Sequence, residues 1–165
     1  MIKEVGSQLS EMGFKRLILI NGHGGQISLL NTAARELRSF SPDMAVFPCF
    51  LWSGVNGLSE LLTKTEIEDG LHASLAETSL MLALKPELVG DERPNEVIKG
   101  KIPEGWSLEG NAPTAWLTDD FSKSGVIGDS RGANEFLGKN LKELLINHWF
   151  KLIMNLMQSD WPNNS

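Results

Sequence analysis

The segment from Arg16 to Gly25, Arg-Leu-Ile-Leu-Ile-Asn-Gly-His-Gly-Gly, constrains the fold of this chain more than any other feature. The unbroken aliphatic run Leu17 to Ile20 reads as a strand covered on both faces, the kind that parallel sheets use. Gly22, Gly24 and Gly25 then interrupt it. Helical periodicity resumes from Gln26 through Ile27, Leu30, Ala34, Leu37 and Phe40, until Ser41 and Pro42 stop it. A second apolar run, Met44 to Trp52, reads as the next strand. Strand, loop, helix and strand make a βαβ unit, whose crossover is right-handed by rule. The expected class is therefore α/β, with helices packed on a mostly parallel sheet.

The flanks extend this pattern. Ile2, Val5, Leu9 and Met12 recur at helical spacing and Gly13 supplies a stop, which predicts a helix ending near Met12. Ser53 to Glu68 reads as loop plus a short helix. Ala73 to Leu84 reads as a helix through Leu75, Leu80, Met81 and Leu84, closed by Lys85 and Pro86. From Val89 to Gly132, Pro, Gly, Asp and Asn dominate. This predicts a long irregular stretch with one short strand, of a length that usually serves function or subunit contact. Ala133 to Met157 predicts a long final helix. With no repeat and no linker, one domain over residues 1–165 is expected.

Composition removes several functional classes. A chain of 165 residues with 41% hydrophobic and 22% charged residues can build a core and is not disordered. A net charge of −6 without any Lys/Arg cluster argues against nucleic acid as a partner. The longest apolar runs, Leu17 to Ile20 and Leu80 to Leu84, are too short for a bilayer, and the opening residues lack a signal-peptide pattern. No membrane partner and a cytoplasmic location are expected. Cys49 is the single cysteine, which leaves neither a disulfide framework nor a Cys-based zinc site. Ser79 and Ser124 lack the Gly-x-Ser-x-Gly elbow of a serine hydrolase.

Two short segments carry side chains suited to chemistry. Asn21 to Gly25 stands at the carboxyl end of the predicted strand, where open α/β sheets bind ligands. There the glycines leave the His23 imidazole, a common divalent-metal ligand, free to enter a crevice. A phosphate loop is the rival reading, but the spacing matches neither the dinucleotide nor the nucleoside-triphosphate fingerprint. A purely structural turn is the bland alternative. In the second segment, His72 to Ser79, a helix starting near Ala73 puts Glu77 about a turn and a half from His72, so both can face one pocket. His72 can then act as general acid or base, and Glu77 can bind a metal or orient a water. The alternative is that both are capping or solvated residues.

Taken together, Asn21-Gly-His-Gly-Gly25 and His72-Ala-x-x-x-Glu77-Thr78-Ser79-Leu80-Met81-Leu82-Ala83-Leu84-x-Pro86 resemble the creatininase (creatinine amidohydrolase) family. The resemblance continues through Ser124-Gly-Val-Ile-Gly-Asp129-x-Arg-Gly-Ala133 into the final helix. It implies a three-layer α/β/α sandwich and hydrolysis of cyclic amides and related non-peptide C–N bonds by a pair of divalent metals, zinc or manganese, with iron a further option. Carried over by position, it implies metal ligation by His23, a catalytic or substrate-orienting role for His72, and a metal-proximal carboxylate at Glu77. Gly24 and Gly25 are the candidate substrate-binding positions. Two metals polarise an amide carbonyl and acidify a bridging water while a nearby His carries a proton to the leaving nitrogen. Ring-like homo-oligomers are implied as well, with a small-molecule amide as substrate.

The motif also departs from the family. Other family ligands, a Glu-x-His pair and a following Asp, lie on an N-terminal portion that would precede residue 1, so an N-terminally truncated domain is expected. Leu71, Ser74 and Leu75 stand where the family or its founding enzyme places Glu, Gly and Glu, and Gly25 stands where creatininase itself carries a metal-binding Glu. Besides His23 and His72 the chain has only His148, in the final helix beside Trp149 and Phe150, where a packed or surface role rather than ligation is the expectation. A dinuclear centre needs more ligands than His23 and Glu77. Two readings follow: part of a metal-dependent amidohydrolase, inactive as an isolated fragment, or a non-catalytic relic that serves as an oligomerisation or binding module.

Overall fold

A computed structural model describes residues 1–98, 102–109 and 112–162 of the chain. They fall into two compact units, Met1–Val55 with Asn147–Ser165, and Asn56–Ile146.

In the first unit, α1 (Ile2–Glu11), β1 (Arg16–Asn21), α2 (Ile27–Phe40) and β2 (Ala45–Phe50) follow in the predicted order. The strands pair in parallel, with Arg16 opposite Ala45 and Asn21 opposite Phe50. The α1 stop works as its sequence requires. Gly13 adopts φ +91°, a conformation costly for other residues, which lets its N–H and that of Phe14 reach the carbonyls of Ser10 and Leu9. Gly6 brings α1 onto α2, since a Cβ there would sit 2.2 Å from Leu37, a fully buried core residue. Ala34, Met44 and Ala45 complete this core.

One expectation changes. β1 is not covered on both faces among the described residues: Leu17, Ile18 and Leu19 are half-buried and Ile20 is 50% exposed. The parallel sheet described has two strands, so the aliphatic run lacks the full cover that its composition anticipates.

The second unit holds α3 (Leu58–Leu61), α4 (Lys64–Asp69), α5 (Leu75–Leu84), β3 (Asn95–Glu96), α6 (Thr118–Phe121), β4 (Gly128–Asp129) and the first half of α7 (Glu135–Gln158). Two short helices thus occupy the region read as loop plus one helix. The stretch read as irregular contains two short strands, β3 and β4, paired antiparallel, and the helix α6. Leu62, Ala76, Val126, Ile127, Leu141 and Leu145 form the core. Gly138 places α7 against the backbone of α5, because a Cβ there would lie 1.8 Å from the Ser79 carbonyl oxygen. No described helix is long and apolar enough to cross a membrane.

Candidate functional site

The loop after β1 is built by one side chain. Asn21, only 5% exposed at the end of the strand, accepts the His23 N–H on Oδ1 at 3.1 Å and donates from Nδ2 to the His23 carbonyl at 2.8 Å. Both backbone groups of His23 are thereby closed by Asn21, and its extended backbone (φ −129°, ψ 123°) turns the imidazole outward. The ring lies over Gly25, where a Cβ would meet Nε2 at 3.2 Å. Gly25 therefore makes room for the imidazole, which is exposed.

The turn before α5 is built differently. His72 is bridged on both backbone groups to Ile127: its N–H donates to the Ile127 carbonyl at 3.1 Å, and the Ile127 N–H donates to its carbonyl at 2.8 Å. Ala73 then takes φ +49°, the left-handed region that costs a non-glycine residue about 1 kcal/mol. Two α5 side chains hold it there. Glu77 Oε2 accepts the Ala73 N–H at 2.7 Å, and the Thr78 hydroxyl donates to the Ala73 carbonyl at 2.8 Å. One oxygen of the candidate metal ligand Glu77 is thus committed to the turn that carries His72.

Sequence reasoning missed Glu66, the buried carboxylate of this unit. Thr63-x-x-Glu66 has the form of a capping box, in which Glu66 would serve its own helix. Half of that happens, since Thr63 Oγ1 accepts the Glu66 N–H. The carboxylate instead crosses to α5, where Oε1 accepts the Ala76 N–H at 2.8 Å and Oε2 accepts the Ser74 hydroxyl at 2.6 Å. Burial pushes the Glu66 carboxyl above its ordinary value, although the hydrogen bonds from Ser74, Ala76 and Leu75 pull against it. Ser74, 1% exposed, also accepts the Asp129 N–H at 3.1 Å. Only glycines permit this packing. A Cβ at Gly70 would lie 2.6 Å from the Glu66 carboxyl carbon, and one at Gly128 (φ +130°) would lie 2.4 Å from Ser74 Oγ.

The segment Ser124 to Ala133 supplies Ile127 and Gly128 to this arrangement. Glu96 fastens its start, accepting the Lys123 and Ser124 N–H groups at 2.9 and 3.0 Å. Hydrogen bonds, first that from the Ser124 side chain and then those from the backbone N–H groups, hold the Glu96 carboxyl down at about 2. Arg131 grips Asp129 with two bonds of 2.9 and 2.7 Å and lowers its carboxyl. His148 meets the packing expectation, with its ring edge-on to Trp149 at 5.3 Å.

His23, Gly24 and Gly25 lie together in the first unit, and His72 and Glu77 lie together in the second. Among the described residues, no group of three or more His, Cys, Asp or Glu side chains is placed to hold a metal ion. The described residues thus do not by themselves compose a metal centre, which needs three or more protein ligands.

Residues 1–153 match the creatininase (creatinine amidohydrolase) family. The chain belongs to the creatininase family. Among solved structures it resembles a creatinine amidohydrolase (creatininase) with a TM-score of 0.71 at 22% identity, over 96% of this chain and 62% of that one. It also resembles a creatininase mutant of the Zn–Zn type, with a TM-score of 0.70 at 24% identity over 96% and 62% of the two chains. A manganese creatininase gives 0.68 at 23%, over 96% and 63%. The fold is therefore the creatininase-like α/β fold. A mycofactocin precursor peptide peptidase of Mycobacterium tuberculosis is 25% identical over 151 residues, which is 87% of this chain and 49% of the relative. One from Mycobacterium ulcerans is 29% identical over 115 residues, 70% and 35% of the two. This creatininase-family chain spans about half the length, or less, of the mycobacterial relatives it matches.

Proposed function

We propose that this chain contributes to a metal-dependent amide hydrolase of the creatininase type. Its own part is His23 as a divalent-metal ligand, Gly24 and Gly25 as backbone against the substrate, and His72 as the proton-transfer group, with the Glu77 carboxylate beside it. The observation that carries the proposal is the loop after β1. An exposed imidazole is laid over a glycine by an asparagine that spends both its polar groups on holding it. A turn needed only for chain reversal does not require that arrangement.

Zinc, manganese or iron bound here would supply Lewis acidity toward the amide carbonyl. His23 and Glu77 fall short of a full ligand set, so this reading requires further ligands besides these two. His72 is suited to its part because both of its backbone groups are bonded to Ile127, which fixes the point from which the ring extends. The bond cleaved is a C–N amide bond. A cyclic small-molecule amide follows the family description. A peptide amide follows the mycobacterial relatives, which are named peptidases.

A second reading, a non-catalytic assembly module built as a homo-oligomer, is favoured by Leu71 and Leu75 beside the His72 turn and by the exposed apolar side chains Ile20, Leu29, Phe136 and Phe150. Hydrolysis of creatinine and of a short peptide amide, assayed with the purified chain in excess Zn²⁺ or Mn²⁺, alone and completed with the part of a full-length relative that this chain does not match, separates the two. The enzyme reading expects turnover only in the completed mixture, and a loss on the order of 100-fold or more for His23→Ala. A folded mixture with no turnover in either metal supports the assembly module.

A further inference from the structure

We propose that Glu66 is the positioning residue of the His72 turn: its carboxylate, rather than Ser74, caps α5 and thereby fixes the backbone that presents the imidazole. This rests on the reading of His72 as the proton-transfer group. Ser74 occupies the N-cap position of α5, and Ser74-x-x-Glu77 has the sequence form of a capping box. The box is not closed in its usual way. Ser74 makes no cap bond to α5, and Glu77 reaches past it to the Ala73 N–H. The free N–H of Ala76 is taken by Glu66 from a different helix.

The exchange has a geometric consequence. Relieved of capping, the Ser74 hydroxyl donates to Glu66 and accepts the Asp129 N–H, so one serine joins α4 to β4 directly behind the His72–Ala73 peptide. Asp129 lies two residues from Ile127, the partner of His72 on both backbone groups. The chain Glu66, Ser74, Asp129, Ile127, His72 is continuous through hydrogen bonds and two peptide units. At each narrow point, Gly70 and Gly128, a Cβ would come closer than 3 Å to Glu66 or Ser74. Ser74, a departure from the family glycine at this position, is therefore built in. Its hydroxyl donates to Glu66 and accepts from β4, while the left-handed φ of Ala73 next to it is held by Glu77 and Thr78 of the helix that Glu66 caps.

The test uses the full chain labelled with ¹⁵N, with the His72 ring resonances assigned by their absence in His72→Gln. In Glu66→Leu, which keeps bulk and removes both acceptors, the His72 ring resonances move outside the wild-type line width while those of His148 stay. Amide exchange at His72 and Ile127 rises about tenfold or more relative to α7. Glu66→Gln, which keeps an acceptor for Ala76 and a partner for Ser74, returns the ring resonances to the wild-type positions. Unmoved His72 resonances in a folded Glu66→Leu protein, or equal displacement in Glu66→Gln and Glu66→Leu, overturn the proposal. If Glu66→Leu does not fold, Ser74→Ala is read in its place: displaced His72 resonances with His148 unmoved support the proposal, and wild-type resonances overturn it. None of these readouts needs turnover, so a completed mixture without turnover would refute the hydrolase reading and leave this one standing on its own result.

Discussion

The Asn21–Gly25 loop and the His72–Ser74 turn each present one imidazole, and they are held by opposite means. The first is local: Asn21 closes both backbone groups of a residue two positions away, and the glycines do the rest. The second is assembled from afar, through Glu66, Ile127 and Asp129, with glycines at 70 and 128 clearing the space. A locally built site tolerates change around it and keeps its ring exposed. The second has its supports Glu66, Ser74 and Ile127 buried, so loss of any one of them reaches the turn.

Gly128→Ala should mark that difference most strongly. It combines φ +130° with a Cβ 2.4 Å from Ser74 Oγ, and is expected to cost about 3 kcal/mol or more, read as a lowered denaturation midpoint. A loss under about 1 kcal/mol would mean that the second site is looser than its contacts imply. Asn21→Ala should cost about 1 kcal/mol, because water can replace its bonds to the exposed His23 backbone.

Acid should loosen the second site before the first. Glu96 is held at about 2 in the fold against an ordinary 4.5, so its clasp on Lys123 and Ser124 is fully in place above about 4.5 and is lost as pH falls toward 2. The amide shifts of Lys123 and Ser124 should follow that titration, and Glu96→Gln should abolish it. A smaller effect is expected of Ala73→Gly, which relieves the left-handed strain but frees the unfolded chain, for a net change within about 1 kcal/mol. Smallest is Gly22→Ala, with nothing within 4 Å of its added Cβ and an expected change under about 0.5 kcal/mol.

The same contrast governs what could be read from the sequence. The βαβ unit was legible because Leu17 to Ile20 and the helical spacing of Ile27, Leu30, Ala34 and Leu37 are local patterns, and the Asn-Gly-His-Gly-Gly loop announced itself where a strand ends. His72 and Glu77 were visible as residues, but the bond from Ala73 to Glu77 was hidden, because it depends on a backbone conformation that Ala seldom adopts. Glu66 was invisible for a sharper reason: Thr63-x-x-Glu66 looks like a self-contained cap, and only the fold diverts the carboxylate to α5. One short strand was expected between Val89 and Gly132 but neither its place nor a second strand was legible, because the two-residue strands β3 and β4 leave no periodicity to detect. Coverage of β1 was overread, since its composition anticipates a second layer that the described residues do not supply.

As proposed, the residues of this chain supply part of a metal centre and not the whole of one. Metal content of the purified full chain, measured by mass spectrometry after loading with Zn²⁺ or Mn²⁺ and exhaustive dialysis, tests it directly. Retention well below one ion per chain is the expected result, and a stoichiometric pair of tightly held ions would contradict it.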